Sequence, residues 1–285
     1  MKTAQPLCCT SAAYAAFARY VTRIETPLGL LRAASALAGH HDEALVNNDV
    51  ERVLNGFAKM VRGRVRGAQP QARIAHLHAY LFEELGFAGN SDDYYNPSNG
   101  YLSEVIDTRR GLPISLSLIY KFVAHKLDLT VNGVGLPGHF VVAVQTYETE
   151  ASQKPIIVDC YDSGRVLSVE DCKDRVESIF GDTVDWNEKM LEPVSHRMWL
   201  SRMIQNLLHI FTTNQQWNDV AAMLELQMVL WPKQSQLKRD LGLVLARIDM
   251  PKPASMWLGE YLKANPDDPE HDELSDLLGK LGEQV

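Results

Sequence analysis

Apolar residues recur at helical spacing through the first third of the chain. Tyr14, Phe17, Val21 and Ile24 fall three or four residues apart, which places them on one face of an amphipathic helix. Val53, Leu54, Phe57, Met60 and Val61 predict a second helix, with Asn48 or Asp49 as its cap. Pro70 opens a third, carrying Ile74, Leu77, Leu81, Phe82 and Leu85 on one side and stopping at Gly86. Residues 89–100 contain no aliphatic side chain and many turn formers. They read as a long loop, of a kind that often carries function.

A short helix over Tyr101 to Arg109 leads to the break Gly111-Leu112-Pro113. Beyond it, Ile114, Leu116, Leu118, Ile119, Phe122 and Val123 are apolar on several sides, which predicts a buried helix running to about Leu127. Val131 to Val134 reads as a short strand. His139 to Tyr147 and Pro155 to Tyr161 are rich in β-branched and aromatic residues and read as an antiparallel pair, joined by the polar connection Glu148 to Lys154. If that hairpin is symmetric, His139 and Asp159 stand directly opposite, with side chains on one face about 5 Å apart. A slip of one residue would part them. From Asp171 onward the pattern is helical again. Trp231-Pro232 and Asn265-Pro266 end two stretches 34 residues apart, and positions 217 and 251 mark the same interval. That is the tetratricopeptide period, and about two such repeats fit.

Of the 285 residues, 46% are hydrophobic and 22% charged, which are globular values and exclude disorder and collagen-like structure. The net charge of −8 argues against nucleic acid as a partner. The basic group Lys59, Arg62, Arg64 and Arg66 reads as a solvated helix end. Cysteines 8, 9, 160 and 172 form no C-x-x-C pair, and no histidine cluster completes a zinc site. So few cysteines point to a reducing, cytoplasmic setting with no metal and no cofactor. No apolar run reaches the ~18 residues of a membrane span. Arg19 and Arg23 interrupt the Ala-rich start, so it reads as a helix rather than a signal peptide.

Three residues suit nucleophilic chemistry. Ser115 falls in the first turn of the buried helix, where free backbone N–H groups and the helix's positive end favour an oxyanion; it also suits a plain backbone-capping role. His139 opens a strand after a glycine, a half-exposed place for a general base or for a structural hydrogen bond. Asp159 ends the apolar run Ile156-Ile157-Val158, where a carboxylate is costly unless paired; it also precedes the turn Tyr161-Asp162-Ser163-Gly164. Together they match a nucleophile, base and orienter. Cys160 points away from Asp159 by strand alternation and reads as core.

In order along the chain stand Asp93-Tyr94-Tyr95, Asn96-Pro97-Ser98-Asn99, Arg109-Arg110-Gly111-Leu112-Pro113-Ile114-Ser115-Leu116, Pro137-Gly138-His139-Phe140 and Val158-Asp159. This string resembles the SirB-type family, a bacterial branch of the transglutaminase-like superfamily, over roughly residues 45 to 270. The resemblance implies an α+β fold: a papain- or transglutaminase-like core, in which a helix packs on a small antiparallel sheet, followed by a tetratricopeptide-like tail. The divisions are then 1–44, an N-terminal helical extension; 45–194, the core; and 195–285, the helical tail. Position by position, the nucleophile site is Ser115, the base His139 and the orienting acid Asp159. Active members of the wider superfamily carry Cys where this chain has Ser115. Amide acyl transfer or hydrolysis on a peptide or protein substrate is one expectation. A non-catalytic interaction scaffold, a pseudoenzyme, is another, and a regulatory protein a third. None calls for a membrane.

Overall fold

Caps and prolines set the first helices. The computed structural model describes residues 5–47, 49–66, 69–146 and 154–282. Helix α1 (Ser11–Val21) starts where the Thr10 hydroxyl accepts the Ala13 amide, and buries Phe17 and Val21. Helix α2 (Pro27–Ala36) starts where Thr26 accepts the Gly29 amide and Pro27 presets φ. The short α3 (Ala38–His41) follows. Helix α4 (Val50–Arg64) buries Leu54, Phe57 and Val61, while Met60 is exposed. The Asp49 carboxylate pairs with Arg52 instead of capping α4; Asn48 lies outside the described residues. In the basic group, Arg62 donates to the Lys126 carbonyl and Arg64 pairs with Glu84. Helix α5 (Pro70–His78) widens into a π turn at Ala79–Glu84. The chain then reverses at Gly86 with φ +70°, a conformation glycine adopts freely.

Strands β1 (Ala88–Gly89) and β2 (Arg110–Gly111) form a two-residue parallel pair around the long loop. The buried Asn99 side chain ties that loop, donating to the Asp93 and Tyr94 carbonyls and accepting from Asn90. Between the pair lies α6 (Leu102–Thr108). Helix α7 (Pro113–Lys126) is buried at every position from Pro113 to Ala124. The sheet that follows is antiparallel throughout, in the order β3 (Val131–Val134), β4 (Val141–Val144), β5 (Ile156–Asp159) and β6 (Arg165–Leu167). Strand β6 is three residues long, too short for alternation to show in the sequence. Helix α8 (Val169–Phe180) opens with a reciprocal capping box between Ser168 and Asp171.

The strands are shorter than their apolar runs, and the register differs from the symmetric hairpin by two residues. Val142 faces Val158, so Asp159 lies beside Val141 rather than His139. A shift of two preserves the face of every side chain. Alternation divides the sheet between two cores. Val142, Val144, Val158 and Cys160 join α7 in the larger one. Val141, Ala143, Ile157 and Leu167 pack with Cys172 and Val176 of α8.

Five helices complete the chain: α9 (His196–Thr213), α10 (Trp217–Leu230), α11 (Gln236–Arg247), α12 (Pro251–Ala264) and α13 (His271–Gly282). Each packs on the next. Helices α10 and α12 have the same length and stand 34 residues apart at both ends. The turns before them match as well, for Gln215 and Asp249 share φ +57°. The larger core runs without interruption from Cys9 to Leu281. Glu225 of α10 reinforces that continuity, accepting the amides of Leu7, Cys8 and Cys9 on its buried carboxylate. No helix among the described residues is long and apolar enough to cross a membrane.

Candidate functional site

The backbone around His139 is held from three sides. Gly138 takes φ +67°, and a Cβ there would meet Ile179 and Phe180 of α8. The neighbouring Phe140 ring packs on Trp199 at 4.7 Å. From α9, one Arg202 nitrogen donates to the carbonyls of Leu136 and His139 at 2.9 and 3.0 Å. The imidazole then meets Asp159, with Nε2 2.8 Å from Oδ2, and the Tyr161 ring stands edge-on at 6.1 Å. With Nε2 engaged, Nδ1 is the nitrogen left for proton transfer; it makes no hydrogen bond among the described residues.

Asp159 is fully buried and fully occupied. Its Oδ1 accepts the amides of Tyr161 and Asp162 at 3.0 and 3.2 Å, and its Oδ2 also accepts from Arg175 of α8 at 3.0 Å. Burial by itself raises the carboxyl's pKa. The bond and charge of His139, the backbone amide of Asp162 and the Arg175 charge outweigh it and hold the carboxyl below its ordinary value. Asp159 shares the sheet face of Ile157, which explains why its cation comes from α8.

Ser115 lies on the other side of the sheet, with α7. It is fully buried, and its Oγ has no hydrogen-bond partner among the described residues. Its amide donates to the Leu112 carbonyl at 3.1 Å. The structure therefore brings His139 and Asp159 together and leaves the Ser115 hydroxyl out of the pair. Cys160, buried against Ser117, has its thiol pushed well up by burial, the opposite of an activated nucleophile. Among the described residues no group of three His, Cys, Asp or Glu side chains is placed to hold a metal ion.

A cleft of about 500 Å³ opens beside the imidazole. Its walls include Pro113 and Ile114 from the start of α7, Tyr94 from the long loop, His139, and Arg202 and Gln205 from α9. Ser115 is not in its wall. A helix start and a histidine at a strand's entry bordering one cleft, with that histidine paired to a buried carboxylate on the next strand, agree with a match by a family model described as the transglutaminase-like superfamily over residues 48–205. The chain belongs to the transglutaminase-like superfamily.

Curated relatives extend the match. A UPF0162 protein of Xylella fastidiosa strain 9a5c is 30% identical over 243 residues, covering 84% of this chain and 85% of that one. A UPF0162 protein of Vibrio cholerae is 19% identical over 211 residues, 74% and 76% of the two chains. Mouse F-box only protein 21 is 31% identical over 167 residues, which are 56% of this chain and 26% of that protein. No solved structure matches.

The transglutaminase-like match reaches into α9, so Arg175 and Arg202 lie within it. Reading the sequence missed both. The Ser168-x-x-Asp171 capping box marks where α8 begins and offers an indirect route to Arg175. Nothing short-range connects Arg202 to a histidine 63 residues earlier.

Proposed function

We propose that this transglutaminase-like protein binds a peptide or amide-bearing polypeptide in the cleft beside His139 and does not form an acyl-enzyme at Ser115. The observation that carries this reading is the Ser115 hydroxyl, buried and without a hydrogen-bond partner among the described residues, set against an imidazole whose Nε2 is bonded to Asp159. A serine nucleophile depends wholly on its base, because a hydroxyl is scarcely ionised at neutral pH. A hydroxyl that no base touches and no solvent reaches meets neither requirement. His139 and Asp159 then serve to shape and polarise the wall of a binding cleft.

The helical stack α9–α13 joins this reading as a tetratricopeptide-like surface for a protein partner, supported by the 34-residue spacing of α10 and α12. We place the protein in the cytoplasm. Its four cysteines are unpaired, and burial pushes Cys8 and Cys9 up to about 11 and about 12, as suits thiols kept reduced and inert. A serine-directed fluorophosphonate tests the central claim. The folded full chain should show no labelling by mass spectrometry. Labelling that vanishes in Ser115→Ala would establish an acylating enzyme and end the binding-only reading.

A further inference from the structure

The cleft contains a cation without an anion. Arg202 is largely shielded from water, stacks over the Phe140 ring at 5.4 Å and spends one nitrogen on two carbonyls. No carboxylate pairs with it among the described residues. Arg175, on the far side of His139, is by contrast shared by Asp159 and Asp162. Shielding lowers the Arg202 pKa, and the Tyr94 phenol in the same cleft offsets this only in part, the mark of a desolvated charge that no carboxylate balances. In a protein of net charge −8, an uncompensated guanidinium in a concave site stands out.

A helix start borders the same space. Pro113 and Ile114 begin a helix of 14 residues at the cleft wall. The Ile114 amide has no acceptor among the described residues, and the helix's positive end lies there. The rim is polar and neutral: Gln205 and Asn206 stand three and four residues after Arg202, on the same face of α9.

We infer that the cleft selects a carboxylate-bearing peptide, with the guanidinium of Arg202 and the amide at the start of α7 holding the carboxylate beside His139. This rests on the peptide-binding reading and gives it a ligand class. With Nη2 spent on the backbone, the remaining N–H groups of Arg202 can donate to a carboxylate oxygen, and charge-assisted bonds of this kind are roughly twice as strong as neutral ones. The free C-terminus of a peptide and a Glu side chain offer the same chemistry.

The test is an NMR titration of the labelled full chain, read at the Arg202 Nε–H and His139 ring resonances. Three probes separate the cases: N-acetyl-trialanine with a free carboxylate, the same peptide as its C-terminal amide, and N-acetyl-Ala-Glu-Ala amide. At least one carboxylate probe should bind about tenfold or more tightly than the trialanine amide. The first identifies a chain end and the third a side chain. R202Q should abolish the preference. Because Arg202 also braces the backbone, Gln205→Glu on the exposed rim provides a control that leaves the brace intact. It supplies an internal carboxylate and should suppress binding of the acid probes. Equal binding of acid and amide probes would overturn the carboxylate assignment and leave the peptide reading standing. If no probe shifts either resonance, both fall.

Discussion

The two sides of the sheet are finished to different standards. On the α8 side, every polar atom of Asp159 has a partner, and His139, Arg175 and two amides converge on it. On the α7 side, Ser115 and Ser117 are buried among aliphatic residues, and neither hydroxyl has a hydrogen-bond partner among the described residues. A buried polar network stabilises only when complete, whereas an unsatisfied hydroxyl costs free energy. The fold thus ties a histidine–carboxylate pair into a complete network while Ser115 is treated as filling.

That contrast predicts that substitutions on the two sides differ several-fold in their effect on stability. The largest effect is expected from Asp159→Asn, which leaves His139 and Arg175 without their anion. It should cost about 3 kcal/mol in urea unfolding at neutral pH; an unchanged midpoint would contradict a buried pair. The same group sets a pH window. Its folded-state pKa lies below the ordinary 3.8, so its contribution is present above about pH 4 and is lost as pH falls through the lower folded value. Asp159→Asn should flatten the stability profile in that acid range.

Gly89→Ala comes next. The Gly89 amide donates to the Tyr161 carbonyl, and an added Cβ would stand 2.3 Å from the Tyr161 ring. Overpacking of this kind costs about 2 kcal/mol, and the displaced ring should also shift the His139 resonances. Arg175→Gln should cost less, about 1 kcal/mol, because water partly screens the guanidinium and His139 still pairs with Asp159. Ser115→Ala should leave stability unchanged or raise it by under about 1 kcal/mol, since it deletes a buried hydroxyl with no partner among the described residues. A Ser115→Ala loss as large as that of Asp159→Asn would erase the difference between the two sides.

What could be read in advance follows the range of the forces involved. The contact of His139 with Asp159 was legible because alternation along two short strands fixes the face, and it survives a two-residue error in register. The exact pairing was not legible, since it depends on how β4 and β5 pack into two separate cores. Helix α7 announced itself through apolar residues on every side. The burial of Ser115 follows from that same pattern, but Trp199 of α9, whose indole donates to the Ile114 carbonyl and helps close over this region, comes from more than 80 residues away. Arg175 and Arg202 were invisible for the same reason. An isolated arginine on an amphipathic helix carries no mark of the partner that tertiary packing brings to it.

Helix α7 is encased along twelve consecutive residues, in a core that also draws on α1, α2, α4 and α9. Breathing motions that loosen one edge of the molecule therefore do not free it. Opening α7 far enough to wet the Ser115 side chain breaks contacts belonging to most of the chain, an event with a free energy close to that of global unfolding. Its amides should be among the slowest to exchange with deuterated solvent. On that timescale the Ser115 hydroxyl meets water only about as often as the whole protein comes apart.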